Sequence, residues 1–197
     1  MQAGNHLVVF VKQPRLGRVK TRLAADIGAV AAWRFYRQML RTVLPPLARD
    51  RRWRTWLAVT PDGAPGPWPV DVPIIDQGPG DLGARMARPF HVLPPGPVVI
   101  VGTDVPAVTP ARIARAFRAL GNHDAVFGPA TDGGYWLVGL RRRPRVSDPF
   151  RGVRWSTAQA LADTLANLAG LRVAFVDTLS DVDDGAAYRA WRRDGGN

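Results

Sequence analysis

Asp104 ends the run Val98-Val99-Ile100-Val101-Gly102-Thr103-Asp104 and is the carboxylate best placed in this chain to do chemistry. Four consecutive β-branched apolar residues predict a strand buried on both faces. Pro106 then stops further ladder pairing. A carboxylate at the carboxyl end of such a strand sits where open α/β sheets hold their ligands. It suits a hard cation, above all one shared with phosphates. A cap for a turn, or for the helix expected near Thr109, would use the same residue type.

Ser180-Asp181-Val182-Asp183-Asp184 gathers three more carboxylates near the last strand. Like charges this close are costly unless they are solvated, shifted in pKa or bridged by a cation. A divalent metal shared with Asp104 and with a nucleotide's phosphates would answer both groups. For Asp184, an acidic cap on the final helix is the competing account. Lys12, Arg15, Arg18, Lys20 and Arg22 crowd one loop between the first strand and the first helix. Their charge and the N–H groups at a helix start favour a phosphate, although an exposed basic loop needs no ligand. The loop matches neither the P-loop nor the Gly-x-Gly-x-x-Gly fingerprint.

Asp132-Gly133-Gly134-Tyr135-Trp136 predicts a tight turn between two strands. Its Tyr and Trp are either core residues or rings that stack on a sugar or base. His6, His91 and His123 share no metal-ligand spacing, and no Ser-His-Asp pattern is present.

The elements that must position these groups alternate along the chain. Strands are expected at Leu7 to Val11, Trp53 to Thr60, Val72 to Ile75 and Val98 to Val101. Three more follow, at Asp124 to Gly128, Tyr135 to Leu140 and Arg172 to Val176. Helices are expected from Thr21 to Leu44, where Pro45-Pro46 would stop the helix, and from Leu82 to Val92, where Pro89 would end or kink it. Others run from Thr109 to Leu120, with Thr109 as N-cap before Pro110, from Thr157 to Leu168, and from the last Asp cluster to Arg193. This alternation predicts an α/β fold, a three-layer α/β/α sandwich with a mainly parallel central sheet. No repeat or linker divides residues 1–197, so a single domain is expected.

Composition narrows the function classes. There is no cysteine, which removes disulfides, thiolate metal sites and cysteine nucleophiles. The formal net charge is +11, but all but two of the 27 basic residues are arginine, as a GC-rich coding sequence would produce. Arg49-Asp50-Arg51-Arg52 and Arg141-Arg142-Arg143 fall at expected loops, as does the Pro/Gly-rich stretch Pro61 to Pro69. The arginine clusters lack aromatics to stack bases, so no dedicated nucleic-acid partner is expected. No apolar stretch reaches membrane-span length, and Leu7 to Val11 has no cleavage-like site behind it. A cytoplasmic protein is expected; the sequence carries no sign of oligomeric state.

Six ordered motifs then act together. They are Lys12-x-Pro14-x-x-Gly17-x-Val19-Lys20-Thr21-Arg22-Leu23, Gln77-x-x-Gly80-Asp81-Leu82-Gly83-x-Arg85-Met86 and Gly102-Thr103-Asp104-x-Pro106. After them come Gly128-Pro129-Ala130-x-Asp132-Gly133-Gly134-Tyr135-Trp136-Leu137, Phe150-x-Gly152-Val153-x-Trp155-Ser156-Thr157 and Asp181-Val182-Asp183. The set resembles a poorly characterised bacterial family of glycosyltransferase-A-type transferases, some associated with radical-SAM gene neighbourhoods and arsenosugar biosynthesis. It is more distantly similar to phospholactate guanylyltransferase and the molybdenum-cofactor nucleotidyltransferases. Asp184-Gly185-Ala186-Ala187 departs from the family's usual Thr and acidic helix start at that point.

The resemblance implies the nucleotide-diphospho-sugar transferase fold and a divalent cation, Mg²⁺ or Mn²⁺, on Asp104 and Asp183 as the catalytic carboxylates. It implies that Lys12, Lys20, Thr21 and Arg22 hold donor phosphates. Gln77, Gly80, Asp81 and Gly83 would lie near the nucleotide base. Asp132, Gly133, Gly134, Tyr135, Trp136, Trp155 and Ser156 would face a small-molecule acceptor. The implied activity is glycosyl transfer from a nucleotide-diphosphate sugar. The alternatives are nucleotidyl transfer from a nucleoside triphosphate to a phosphorylated acceptor with pyrophosphate release, or a non-catalytic nucleotide-binding or interaction domain.

Overall fold

The computed structural model describes residues 4–66, 68–142 and 148–196. Pro67 and Arg143, both expected in loops, lie outside the described residues. The strands are β1 (His6–Lys12), β2 (Arg54–Thr60), β3 (Ile74–Asp76), β4 (Val98–Val101), β5 (Ala125–Pro129), β6 (Tyr135–Leu140) and β7 (Val173–Phe175). They form one seven-stranded sheet in the order β3-β2-β1-β4-β6-β5-β7. β1 pairs in parallel with β2 and β4, β2 with β3, and β5 with β7. Only β6 runs against its neighbours β4 and β5. The sheet is therefore mainly parallel, as the alternating pattern requires.

The helices are α1 (Thr21–Ile27), α2 (Ala29–Arg49), α3 (Leu82–Val92), α4 (Pro110–Ala119), α5 (Ala160–Ala166) and α6 (Gly185–Arg193). Side chains alternate across each strand, so the core divides into two layers. Leu7, Val9, Val11, Leu57, Val59, Val99 and Val101 pack under Leu40, Val43, Leu44 and Leu47 of α2 and Ile113 and Phe117 of α4. Val8, Ala58, Val98, Ile100, Phe127 and Val138 face the other way, against Met86 of α3, Phe150 and Leu168. A smaller cluster, Leu23, Phe35, Met39 and Val182, ties α1 and α2 to Tyr188 and Trp191 of α6.

Several boundaries differ from expectation. The single helix expected from Thr21 to Leu44 is two, parted by Gly28 at φ 87°, a left-handed conformation that glycine adopts without steric cost. Pro45 and Pro46 do not stop α2, which continues to Arg49. Val43, Leu44 and Leu47 are buried, and this packing offsets the lost N–H groups. The Leu47 carbonyl accepts from Trp53 Nε1 and Thr55 Oγ1, both at 3.0 Å. Pro89 likewise sits inside α3 without ending it. Thr109 caps α4 through the Arg112 N–H, and Pro110 opens the helix as expected. No helix among the described residues is long and apolar enough to cross a membrane.

The topology decides where a ligand belongs. From β1 the chain spreads through β2 to β3 on one side, then returns to place β4 on the other. The carboxyl ends of β1 and β4 therefore flank the point where strand order reverses, the usual crevice of an open α/β sheet.

Candidate functional site

A cleft of about 340 Å³ opens at that reversal point. Of the residues expected to serve a site, it gathers Lys12, Lys20, Thr21, Arg22, Gln77, Asp104 and Asp183. They come from the ends of β1, β3 and β4, the start of α1 and the segment before α6.

Lys20 stands at the centre. It precedes α1 in a left-handed conformation, φ 49° and ψ 48°, and only 5% of its side chain is exposed. Its ammonium lies 2.9 Å from Asp104 Oδ1, 2.5 Å from Asp183 Oδ1 and 2.9 Å from the Val182 carbonyl. Three acceptors therefore match the three protons of an ammonium. The Val182 N–H donates to the Asp104 carbonyl at 3.1 Å, which locks the two acidic segments together. Arg22 donates to the remaining oxygen of Asp183.

The electrostatics follow from this geometry. Burial works against the charge on Lys20, but Asp104 and Asp183 outweigh it and raise the ammonium above its ordinary value. Burial would raise Asp183, yet Lys20 and Arg22 hold its carboxyl below the usual carboxylate range. Asp181 behaves oppositely. Burial raises it, and the negative charges of Asp183 and Asp132 add to the effect.

The donor set can be weighed against a divalent cation. Asp104 is 48% exposed at its side chain, and among the described residues its second oxygen has no partner. That oxygen suits a hard cation whose other ligands are phosphate oxygens and water. Asp183 has both oxygens engaged by Lys20 and Arg22. Arg22, 70% exposed, can turn away and release one of them. Among the described residues no three His, Cys, Asp or Glu side chains form a ready cage. What the described residues offer a hard cation is one oxygen of Asp104 and, once Arg22 turns away, one of Asp183; its other ligands would have to come from elsewhere.

Sequence reasoning missed Tyr36, Thr60, Thr103 and Phe10, which also line the cleft. Tyr36 clips the first residue of the basic loop: its hydroxyl accepts from Lys12 N at 2.8 Å and donates to Lys12 O at 2.9 Å. Burial pushes its phenol well above its ordinary value, so the hydroxyl keeps its proton. The only signal was its place on the apolar face of α2, which does not separate it from Phe35 or Met39.

Other expected residues turn out to have structural roles. Asp81 caps α3, accepting from the Ala84 N–H at 2.8 Å. Gly80 has φ 102°, and a Cβ there would meet Ala84; a Cβ on Gly83 would press on Phe150 and Trp155. None of these three lines the cleft. Trp136, expected to face an acceptor, is a core residue: it packs across Gly128 and donates its indole N–H to the Asp177 carbonyl at 2.9 Å. Asp132 accepts from the Gly134 N–H at 2.9 Å and shapes the β5–β6 turn. Gly133, at φ 86°, backs onto Ala158. Tyr135 packs edge-on against Phe127 and Trp155, while Ser156 is exposed. Asp183, and after it the negative charges of Asp181 and Asp132, raise the guanidinium of Arg22, which lines the cleft.

Residues 43–157 match the model of a family described as uncharacterized protein conserved in bacteria, DUF2064. A crystal structure from Desulfovibrio desulfuricans G20, named "putative nucleotide-diphospho-sugar transferase", superposes with a TM-score of 0.87 at 30% identity, covering 100% of this chain and 89% of that one. The 4-diphosphocytidyl-2C-methyl-D-erythritol synthase of Anaerococcus prevotii is similar at TM-score 0.64 and 8% identity, covering 99% of both chains. The inositol-1-phosphate CTP transferase of T. maritima is similar at 0.61 and 12%, covering 98% of this chain and 96% of that one. These last two share the fold. The comparison with curated proteins gave no match.

Proposed function

The chain belongs to the DUF2064 family of proteins conserved in bacteria, and from that premise we propose that it is a transferase using a nucleotide-activated donor. Its reaction is glycosyl transfer from a nucleotide-diphosphate sugar to a small acceptor. The observation that carries this reading is Lys20, buried between Asp104 and Asp183 at the reversal point of the sheet, with Lys12 and Arg22 beside it. A buried cation flanked by exposed ones is what a diphosphate needs on both sides of its departure.

In this mechanism the donor's diphosphate enters on the cationic side of the cleft. Lys20 and Arg22 give up part of their carboxylate contacts and donate to phosphate oxygens, while exposed Lys12 covers the same group. That exchange leaves Asp104, and one oxygen of Asp183, to hold Mg²⁺ or Mn²⁺, which when bound supplies charge neutralisation for the leaving diphosphate. Tyr36 keeps the basic loop in register through both backbone groups of Lys12. Asp132, Gly133, Gly134, Tyr135, Trp155 and Ser156 form the adjoining wall for the acceptor.

Nucleotidyl transfer is the second reading, and the density of cations on one loop favours it, since a triphosphate carries more charge than a diphosphate sugar. The deciding experiment offers the protein nucleotide sugars and nucleoside triphosphates with Mg²⁺ or Mn²⁺ and a mixture of small hydroxylated and phosphorylated acceptors. Release of nucleoside diphosphate with the sugar moved to an acceptor supports glycosyl transfer. Pyrophosphate release from triphosphates replaces it with nucleotidyl transfer. Nucleotide binding with neither product would leave a binding domain and overturn both.

A further inference from the structure

Gln77 lies at the neutral end of the cleft, and every polar atom it has but one is committed. Its backbone N–H donates to the Val59 carbonyl at 3.0 Å, and its own carbonyl accepts from Arg88. Its side-chain Nε2 donates to the Ala58 carbonyl at 2.9 Å and the Val11 carbonyl at 3.2 Å. Carbonyl oxygens only accept, so the amide cannot be flipped, and the orientation of Oε1 is fixed. Oε1 has no donor among the described residues. It is also absent from the buried side-chain atoms that lack a partner. The residue is 6% exposed and lines the cleft. With Nε2 pinned to the Val11 and Ala58 carbonyls of β1 and β2, Oε1 is the one side-chain polar atom left for Gln77 to offer the cleft it lines.

The cleft is divided by charge. Lys20 and Arg22, with Asp104 and Asp183, occupy the side of the cleft toward β4 and α1, and Lys12 ends β1 opposite Thr60 of β2, between the two sides. Phe10, Thr60 and Gln77, none of them charged, occupy the side toward β2 and β3. Phosphates belong with the cations, which leaves the neutral side for the base.

We propose that Gln77 Oε1 reads the base, and that the nucleotide carries an exocyclic amine: cytosine, guanine or adenine in preference to uracil or thymine. This rests on the nucleotide-donor reading above. An exocyclic amine projects beyond the ring edge and reaches a recessed acceptor. Uracil and thymine offer one edge N–H at N3, between two carbonyl oxygens. Presenting it to Oε1 brings an acceptor against an acceptor, with no donor from Gln77 to relieve it.

The test is calorimetric titration of the intact protein with CDP, GDP, ADP, UDP and dTDP in the presence of Mg²⁺. The expected result is that at least one amine-bearing diphosphate binds about tenfold or more tightly than UDP and dTDP. Removing the amine from the preferred base (2-pyrimidinone for cytosine, inosine for guanosine, purine for adenine) should cost a similar factor with the wild-type protein. Gln77→Leu should erase the difference. The analogue comparison needs no variant, so a misfolded Gln77→Leu would not protect the proposal. UDP binding as tightly as the others, or an amine whose removal changes nothing, overturns the base assignment alone. No binding of any nucleotide overturns the donor reading and this assignment together.

Discussion

The Lys20 ammonium lies 2.9 Å from Asp104 and 2.5 Å from Asp183, so two carboxylates from different parts of the chain share one buried cation. Without that cation their negative charges would repel unless solvated, protonated or otherwise bridged. The same cation holds the loop after β4 against the segment before α6, because Lys20 also takes the Val182 carbonyl. A left-handed backbone at Lys20 costs about 1–2 kcal/mol, and these three contacts are what retain it.

Lys20→Met should therefore weaken both stability and binding. Breaking a buried ion pair costs about 3–5 kcal/mol; partial exposure of both acids lowers the expectation to about 1–3 kcal/mol. Combining Lys20→Met with Asp183→Asn should recover much of that stability and none of the nucleotide affinity. Thermal melts and titration of the two variants check this. A single variant that melts like the wild type would show that the bridge does not hold these segments.

Asp104→Asn separates cation binding from architecture. The amide oxygen still accepts from Lys20, so the melting temperature should stay close to the wild type. The free carboxylate oxygen is gone, and the Mg²⁺- or Mn²⁺-dependent part of nucleotide affinity should fall by at least the ~10–100-fold that losing a metal's outer partner costs. Titrations with and without metal measure that part directly. An unchanged metal dependence removes Asp104 from the cation site.

Much of this was legible in the sequence, and the failures have physical causes. The run Val98–Val101 forms a strand buried at every position, because an unbroken β-branched run has no polar face to offer solvent. Lys20, Asp104 and Asp183 meet because charged groups flanking strand ends collect at one edge of a parallel sheet. Trp136 misled because periodicity places a residue on a face without saying whether a neighbour covers it; Gly128 leaves the space its indole fills. Asp81 and Gly83 sit in a conspicuous motif, yet a capped helix start packed on Phe150 and Trp155 accounts for them. Tyr36 was invisible for the converse reason: its role is a pair of backbone contacts to Lys12, which no spacing rule reports.

Asp181 and Asp183 should give opposite pH signatures. Burial, then Asp183 and Asp132, raise Asp181 above its ordinary value. Its contribution to stability is full below the unfolded carboxylate pKa and is lost as pH rises through the folded one. Asp181→Asn should therefore raise the melting temperature near pH 7 and give no gain at about pH 3. Asp183 is lowered despite its burial, so its contribution is present above the ordinary value and lost as pH falls through the folded pKa. Asp183→Asn should cost stability near pH 7 and little at strongly acidic pH. Melting curves across this range test both, and parallel curves for Asp181→Asn and the wild type would contradict the assigned environment.

Gly133→Ala tests whether the β5–β6 turn is a fixed wall beside the cleft. Gly133 has φ 86°, and a Cβ there would meet the carbonyl oxygen and backbone of Ala158, which cannot swing aside as a side chain would. The Gly133 carbonyl also accepts from the Leu161 N–H at 3.1 Å, tying the turn to α5. Left-handed strain and overpacking each cost about 1–3 kcal/mol, so a combined loss of about 2–4 kcal/mol is expected. Gly152→Ala is the matched control, since Gly152 has φ 68° but nothing within 4 Å of the added carbon. It should lose only the backbone term, about 1 kcal/mol. Chemical denaturation of the two variants reads the difference. Equal losses would mean that the segment around Ala158 yields, and the acceptor wall would then be mobile rather than preformed.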